Sequence, residues 1–301
     1  VQGTCDPFLQ CTLLYTLRLF FQQRSDLSNF QNKFNDLLTQ IATYTDGSKN
    51  CGQAILYETA RTIFSLNLEQ PLRVLGINIL AKFLSQKENN TKYVALNTLL
   101  KVVDQEPAAV QRHRRFISKC LRDPDISIRK RALELSFAIL DEGNLVELVN
   151  ELTAFLGKAT DDDENLIVFT VENLVKVLDT YSVADEKWKL GVLFQSLKLV
   201  GTYLTSEIIG DILIAINNAE NSSQRRDLIV DMLRISLDSS KNFEISEENS
   251  GWSIVAIWCI GEYADDLLET PVDRNLISEF SLTKFLCTQE EKFNTNDKKS
   301  L

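Results

Sequence analysis

A single histidine, His113, stands in 301 residues. That scarcity removes histidine triads and multi-histidine metal sites, and the flanking Arg112, Arg114 and Arg115 lower its basicity further. No G-x-x-x-x-G-K-S/T loop or G-x-G-x-x-G turn occurs, so the backbone cradles that grip nucleotide phosphates are missing. The six cysteines (Cys5, Cys11, Cys51, Cys120, Cys259, Cys287) show no Cys-x-x-Cys spacing, which argues against zinc and for reduced, mostly buried thiols. Only 11 glycines and 5 prolines are present, and Pro7, Pro71, Pro107, Pro124 and Pro271 each precede an apolar run rather than interrupt one. Sustained alternation and Asn-Gly hairpins are absent, which excludes a β-rich fold. No apolar run approaches the roughly 18 residues of a membrane span. Nothing resembles a signal peptide, and a chain running from Val-Gln-Gly to a polar Lys-Lys-Ser-Leu end is expected to be an internal piece of a longer protein. The acidic pairs Asp265-Asp266 and the Asp161–Glu164 run read as solvated surface rather than as a cation site. No cofactor, metal or catalytic residue is expected.

What remains is helix. Apolar residues make up 44% of the chain, enough for a continuous core. Acidic residues number 42 against 32 basic ones, and the resulting charge of −10 disfavours nucleic acid as a partner. The stretch Val110–Leu140 reads as a helix, a corner at Arg122-Asp123-Pro124-Asp125, and a second helix that Asp123 can cap. In that second helix Ile128, Ala132, Leu135 and Ile139 share one face, widened by Leu133, Phe137 and Leu140. Leu72–Leu84 and Thr91–Val103 align at an offset of 19, pairing Arg73 with Lys92, Gly76 with Ala95 and Leu80 with Leu99. A further shift of 37 brings Arg129 and Ala132 onto Lys92 and Ala95. Nineteen residues make one helix and its corner, and 37 make a helical pair, close to the ~40–47 residues of HEAT and armadillo repeats. The expected fold is all-α, an α-α superhelix of the HEAT/armadillo solenoid type.

Helices are expected over most of the chain. They include an N-terminal helix with Leu9, Leu13, Leu17 and Phe20 on one side, one at Leu27–Tyr44, one at Ala108–Leu121, and an aromatic one at Gly251–Leu268. In the last, Trp252 and Trp258 point to different sides and read as packing, and Gly261 is expected to admit a neighbouring helix. Asp238–Ser250 reads as a surface loop, and residues 289–301 as a disordered tail that cannot bury a core. Between Gln111 and Arg131 stand eight cations (Arg112, Arg114, Arg115, Lys119, Arg122, Arg129, Lys130, Arg131) against two aspartates. Either these basic edges pair with acidic corners of adjacent helices, or they meet an acidic partner protein or anionic lipid headgroups.

The segment WCIGEYADDL at Trp258–Leu267 resembles a signature of the adaptin large subunits of clathrin adaptors, those of the γ type above all. DPFLQ near the start, LRVLGINILAKFL, KYVALNTLL, AVQRHR and RALELS are similar to the same family and occur in its order, spanning roughly Val1–Leu268. The acidic stretch near Asp161 and the Asn/Ser-rich one near Asn242 depart from it. The resemblance implies that residues 1–288 are the middle and rear of the helical trunk of a heterotetrameric adaptor. That complex would hold a β-type large chain, a medium μ chain and a small σ chain. It would act with an Arf-family GTPase, clathrin and phosphoinositide membrane in cargo sorting between trans-Golgi network and endosomes. Periodicity alone equally permits a nuclear transport receptor or a phosphatase scaffold.

Overall fold

A computed structural model describes residues 6–23, 30–66, 68–181, 185–219, 222–237, 249–269 and 277–297. Every regular element among them is helical, and they fall into two compact units, residues 1–140 and 141–301. The all-α solenoid expectation holds in both.

In the N-terminal unit the elements are α1 (Pro7–Gln23), α2 (Gln31–Tyr44), α3 (Asn50–Ser65), α4 (Gln70–Leu84), α5 (Asn89–Val102), α6 (Pro107–Gln111), α7 (Arg114–Cys120) and α8 (Ile126–Ala138). Helices α1 and α3 lie side by side, as do α5 and α8, while α2, α4, α6 and α7 form the facing layer. The 37-residue offset is therefore the step from α5 to its layer neighbour α8, and the 19-residue offset is the step between layers. The repeated apolar positions meet in the core: Ile77, Leu80, Ala95, Leu99, Ile128, Ala132 and Leu135 are inaccessible to solvent. At the small-residue position, a Cβ on Gly76 would lie 2.9 Å from the Phe64 ring, so α3 and α4 approach through a gap that only glycine leaves.

Three expectations fail here. In α1 the buried positions are Leu14 and Arg18; of the stripe read from spacing only Leu17 packs on the core, half-buried, whereas Leu9, Leu13 and Phe20 are exposed. Arg18 is tolerated inside because Glu58 of α3 pairs with it at 2.6 Å. The single helix expected over Ala108–Leu121 is two, broken at Arg112-His113. Asp125, not Asp123, caps α8, accepting from the Ser127 N–H at 2.9 Å. The expected start of α2 at Leu27 lies outside the described residues.

In the C-terminal unit α9 (Leu145–Leu156), α11 (Glu186–Val200), α13 (Ser222–Leu237) and α15 (Glu279–Asp297) alternate with α10 (Glu164–Thr180), α12 (Ser206–Asn217) and α14 (Ser250–Glu269) in two layers. A 3-10 turn at Asp161–Asp163 feeds α10, and another at Gly201–Tyr203 follows α11. Helix α15 continues to Asp297, so residues 289–297 are helical rather than the unstructured stretch expected; residues 298–301 and 238–248 lie outside the described residues, and of the surface loop expected at Asp238–Ser250, Asn249 is buried and Ser250 begins α14. Gly261 is exposed, and no described atom beyond its own helix lies within 4 Å of its Cβ position, so it is not a point of close approach to another described helix. That role falls to Gly251 at the start of α14, where a Cβ would stand 2.5 Å from the Gly201 carbonyl oxygen.

Candidate functional site

The basic segment is built on the corner between α7 and α8. Its two aspartates are both turned to structural use. Asp123 is 8% exposed; its Oδ2 accepts from Lys92 Nζ at 2.6 Å and its Oδ1 from the Asp125 N–H at 3.1 Å. Asp125 caps α8 and accepts from the Asn89 side chain at 3.4 Å. The same arrangement recurs one layer across. Glu106, which precedes α6, accepts from Arg73 Nη2 at 2.8 Å, Arg73 Nε at 3.0 Å and Gln70 Nε2 at 3.2 Å. In both places a basic residue near the start of one helix holds a carboxylate at the N-terminal corner of the next helix in its layer. The carboxylate also suits the positive end of the helix that follows. The Arg73 hydrogen bonds, and then those from Gln70, hold the Glu106 carboxyl below its ordinary value.

Arginine at the repeated position does a second job. Arg73 Nη1 donates to the Leu68 carbonyl at 2.7 Å, and Arg129 Nη1 donates to the carbonyls of Asp123 and Pro124 at 2.9 and 3.0 Å. Each ties its own helix to the corner before it, using the several donors of a guanidinium where lysine has one point charge. Arg129 thus belongs to the scaffold. Arg131 pairs with Glu134 at 2.6 Å and stacks 5.8 Å from the Tyr93 ring. Arg114, half-buried at the start of α7, is also engaged with other groups.

The other cations face solvent. Arg112, Arg115, Lys119, Arg122 and Lys130 are exposed, and none forms an ion pair with a described carboxylate. Lys119 lies over the Phe116 ring at 5.6 Å. His113 sits at the helix break, its Nε2 2.9 Å from Asn78 Oδ1, and burial, then the Arg112 charge, hold its pKa below the ordinary range. It links α4 to the break.

The signature around Trp258 serves packing. Tyr263 breaks the regular path of α14, its ring meets Trp258 edge-on at 5.8 Å, and its hydroxyl donates to Asn217 Oδ1 at 3.3 Å. Arg225 stacks 4.7 Å from that ring and donates to the Ala219 carbonyl at 3.0 Å. Trp252 is buried, and its indole N–H donates to Ser236 Oγ at 2.9 Å. Sequence reasoning missed Asn249, whose amide donates to the Leu197 carbonyl at 2.8 Å while its Oδ1 caps the Trp252 N–H at 2.9 Å. Its side-chain acceptor three residues before a buried helical residue was the available signal.

Of the described cysteines, Cys120 and Cys259 are buried, and burial pushes their thiols up to about 11 and about 12. Cys11 is half-buried, and Cys51 and Cys287 are exposed, so the thiols are not mostly buried as expected. Among the described residues no three His, Cys, Asp or Glu side chains are placed to hold a metal ion, and no helix is long and apolar enough to cross a membrane.

Stacked helical pairs, sutured at their corners, define a protein of the α-solenoid class. The chain belongs to the adaptin family: the family described as "Adaptin N terminal region" matches residues 1–299. It is 57% identical over 306 residues to AP-1 complex subunit gamma-1 of Saccharomyces cerevisiae, covering 99% of this chain and 37% of that protein. It is 36% identical over 282 residues to AP-1 complex subunit gamma of Dictyostelium discoideum, covering 92% of this chain and 30% of that protein. The chain therefore spans about a third of the length of these curated relatives. In fold it is similar to a chain of a homology model of the full-length AP-3 complex in an intermediate open conformation. The TM-score is 0.65 at 19% identity, covering 96% of this chain and 51% of that one.

Proposed function

We propose that this chain is the middle to rear of the trunk of a large γ-type subunit in a clathrin-associated adaptor complex. It acts as a scaffold rather than a catalyst, in vesicle-mediated protein transport and cargo sorting between trans-Golgi network and endosomes. The observation that carries this reading is the 57% identity to AP-1 complex subunit gamma-1 of yeast across nearly the whole chain. The physical account agrees with it: a solenoid draws its stability from burial between neighbouring repeats and leaves a long surface for other proteins. Its partners are a β-type large chain, a medium μ chain and a small σ chain, with an Arf-family GTPase and clathrin reached through the whole complex. The protein works at the cytoplasmic face of trans-Golgi and endosomal membranes and binds no nucleic acid. Affinity purification of the full-length protein, followed by mass spectrometry, tests this. One β-type, one medium and one small chain in equal amounts are expected. Recovery of a Ran-type GTPase or a phosphatase subunit in their place would discard the function and leave the solenoid standing.

A further inference from the structure

We infer that the solvent face of α14, flanked by α12, is a docking surface for a basic amphipathic helix of a partner protein. Ile254, Ile257, Trp258 and Gly261 recur at steps of three, one and three, which sets them along one side of α14 ahead of the irregular turn at Tyr263. That side faces solvent: Ile254 is 38% exposed, Ile257 and Trp258 are half-buried, and Gly261 is exposed. The opposite side, Val255, Ala256, Cys259 and Ile260, is buried. Gly261 stands inside the helix, where glycine is less stable than alanine, and no described atom beyond α14 lies within 4 Å of its Cβ position. Such a gap among apolar side chains lets a second backbone approach closely.

Charge selects the occupant. Neither α12 nor α14 carries a lysine or arginine. Glu207 and Asp211 of α12 and Glu262 and Asp265 of α14 are exposed, and none pairs with a described cation. A cation that reaches in from α13, Arg225, is spent on the Tyr263 ring and on the Asn217 and Ala219 carbonyls. The two helices run parallel. Gly251 at the start of α14 stands against Gly201, just ahead of α12, and Tyr263 farther along reaches Asn217 at the end of α12. Both also pack on α11 of the facing layer, so their exposed sides look the same way. Glu207, Asp211 and Ile214, at steps of four and three, therefore lie beside the α14 strip, with Ile214 58% exposed. Such a surface repels an anionic bilayer or a nucleic acid. It matches a helix with apolar residues at i, i+3, i+4 and i+7 and with lysine or arginine along its edges.

Fluorescence polarisation of the full-length protein with a labelled helical peptide tests the inference. The peptide carries leucine at the i, i+3, i+4 and i+7 positions and lysine elsewhere, and its control is a scrambled peptide of the same composition. The ordered peptide is expected to bind about tenfold or more tightly than the scrambled one, to weaken with added salt, and to slow amide hydrogen exchange in α14. Gly261→Leu, which fills the approach, and the pair Glu262→Lys/Asp265→Lys are each expected to weaken binding about tenfold or more while the thermal midpoint is kept. Should a variant misfold, Glu262→Gln/Asp265→Asn removes the charge alone, with a smaller loss. Unchanged affinity in folded variants would overturn the proposal. So would equal affinity for the two peptides, binding of neither included, or exchange slowed in other helices and not in α14. Hydroxyl-radical oxidation offers a check on the wild type without peptide. Trp258 reacting as slowly as the buried Trp252 would show the strip already covered by another part of the protein and would overturn the proposal too. The inference stands on α12 and α14 alone and not on the adaptor reading.

Discussion

The two units bury similar apolar layers but tie their helices together by different chemistry. In the N-terminal unit the ties between helices include charge pairs: Arg18 with Glu58, Arg73 with Glu106 and Lys92 with Asp123. The last two fall at repeated positions, one helical step apart. In the C-terminal unit the ion pairs Lys176–Glu172 and Arg234–Asp231 run along single helices. The ties seen between its described helices are an amide, an indole, a phenol and a close backbone approach, at Asn249, Trp252, Tyr263 and Gly251, with one cation, Arg225, stacked on the Tyr263 ring rather than paired with an acid. Charge pairs act through space and survive small shifts in helix position, so a repeat can copy them. Hydrogen bonds from Asn249 and the close approach of Gly251 to the Gly201 carbonyl tolerate little displacement and belong to one place only.

The largest expected effect comes from cutting one corner tie. Lys92→Met leaves the Asp123 carboxylate buried without its cation and should cost about 3 kcal/mol. Amide hydrogen exchange should accelerate in α5–α8 and stay unchanged in α12–α14. The double variant Lys92→Met/Asp123→Asn should cost less than the single one, since the stranded charge is gone. Equal acceleration in both units would erase the distinction. Next is Gly251→Ala, whose added methyl must displace the Gly201 carbonyl and should cost about 1–3 kcal/mol, read as faster exchange in α11–α14 only. Trp252→Phe shrinks the buried indole to a phenyl ring and removes its N–H from Ser236 Oγ, which still donates to the Met232 carbonyl, for a loss of about 1–2 kcal/mol in denaturant unfolding.

Acid is the gentlest probe. Because the folded protein holds the Glu106 carboxyl below its ordinary 4.5, this tie contributes stability above that value and loses it as pH falls through the depressed one. Thermal melts of the wild type and Glu106→Gln should therefore be fully separated above pH 4.5 and converge as the pH falls below it. A constant gap across that range would show that Glu106 stays charged or contributes nothing by its charge.

Much of the fold was legible because burial follows spacing. The 19- and 37-residue offsets predicted the two layers, and Leu80, Leu99, Ala132 and Leu135 are as buried as their period required. The α9 helix falls at Leu145–Leu156 as its apolar run predicted. The misreadings share one cause, which is that spacing marks a face without saying what covers it. Leu9, Leu13 and Phe20 make an orderly stripe, yet α3 packs on the Leu14 and Arg18 side of α1. Gly261 reads as a close-approach glycine, but whether a helix passes there depends on distant residues, and no described one does.

The basic segment shows the same division. Its charge reversal within an acidic chain, its helical setting and its corner were all local matters, settled by composition and by Pro124 with its flanking aspartates. Which cations were spent on the fold was not. Arg73, Lys92 and Arg129 share a repeat position, but their partners lie five to 33 residues away along the chain, on corners that only the stacked helices bring near. Local spacing determined which side chains share a helix face. The packing of helices distant in sequence decided which charges are held inside and which are left exposed, because electrostatic pairing depends on distance in space and burial, not on order along the chain.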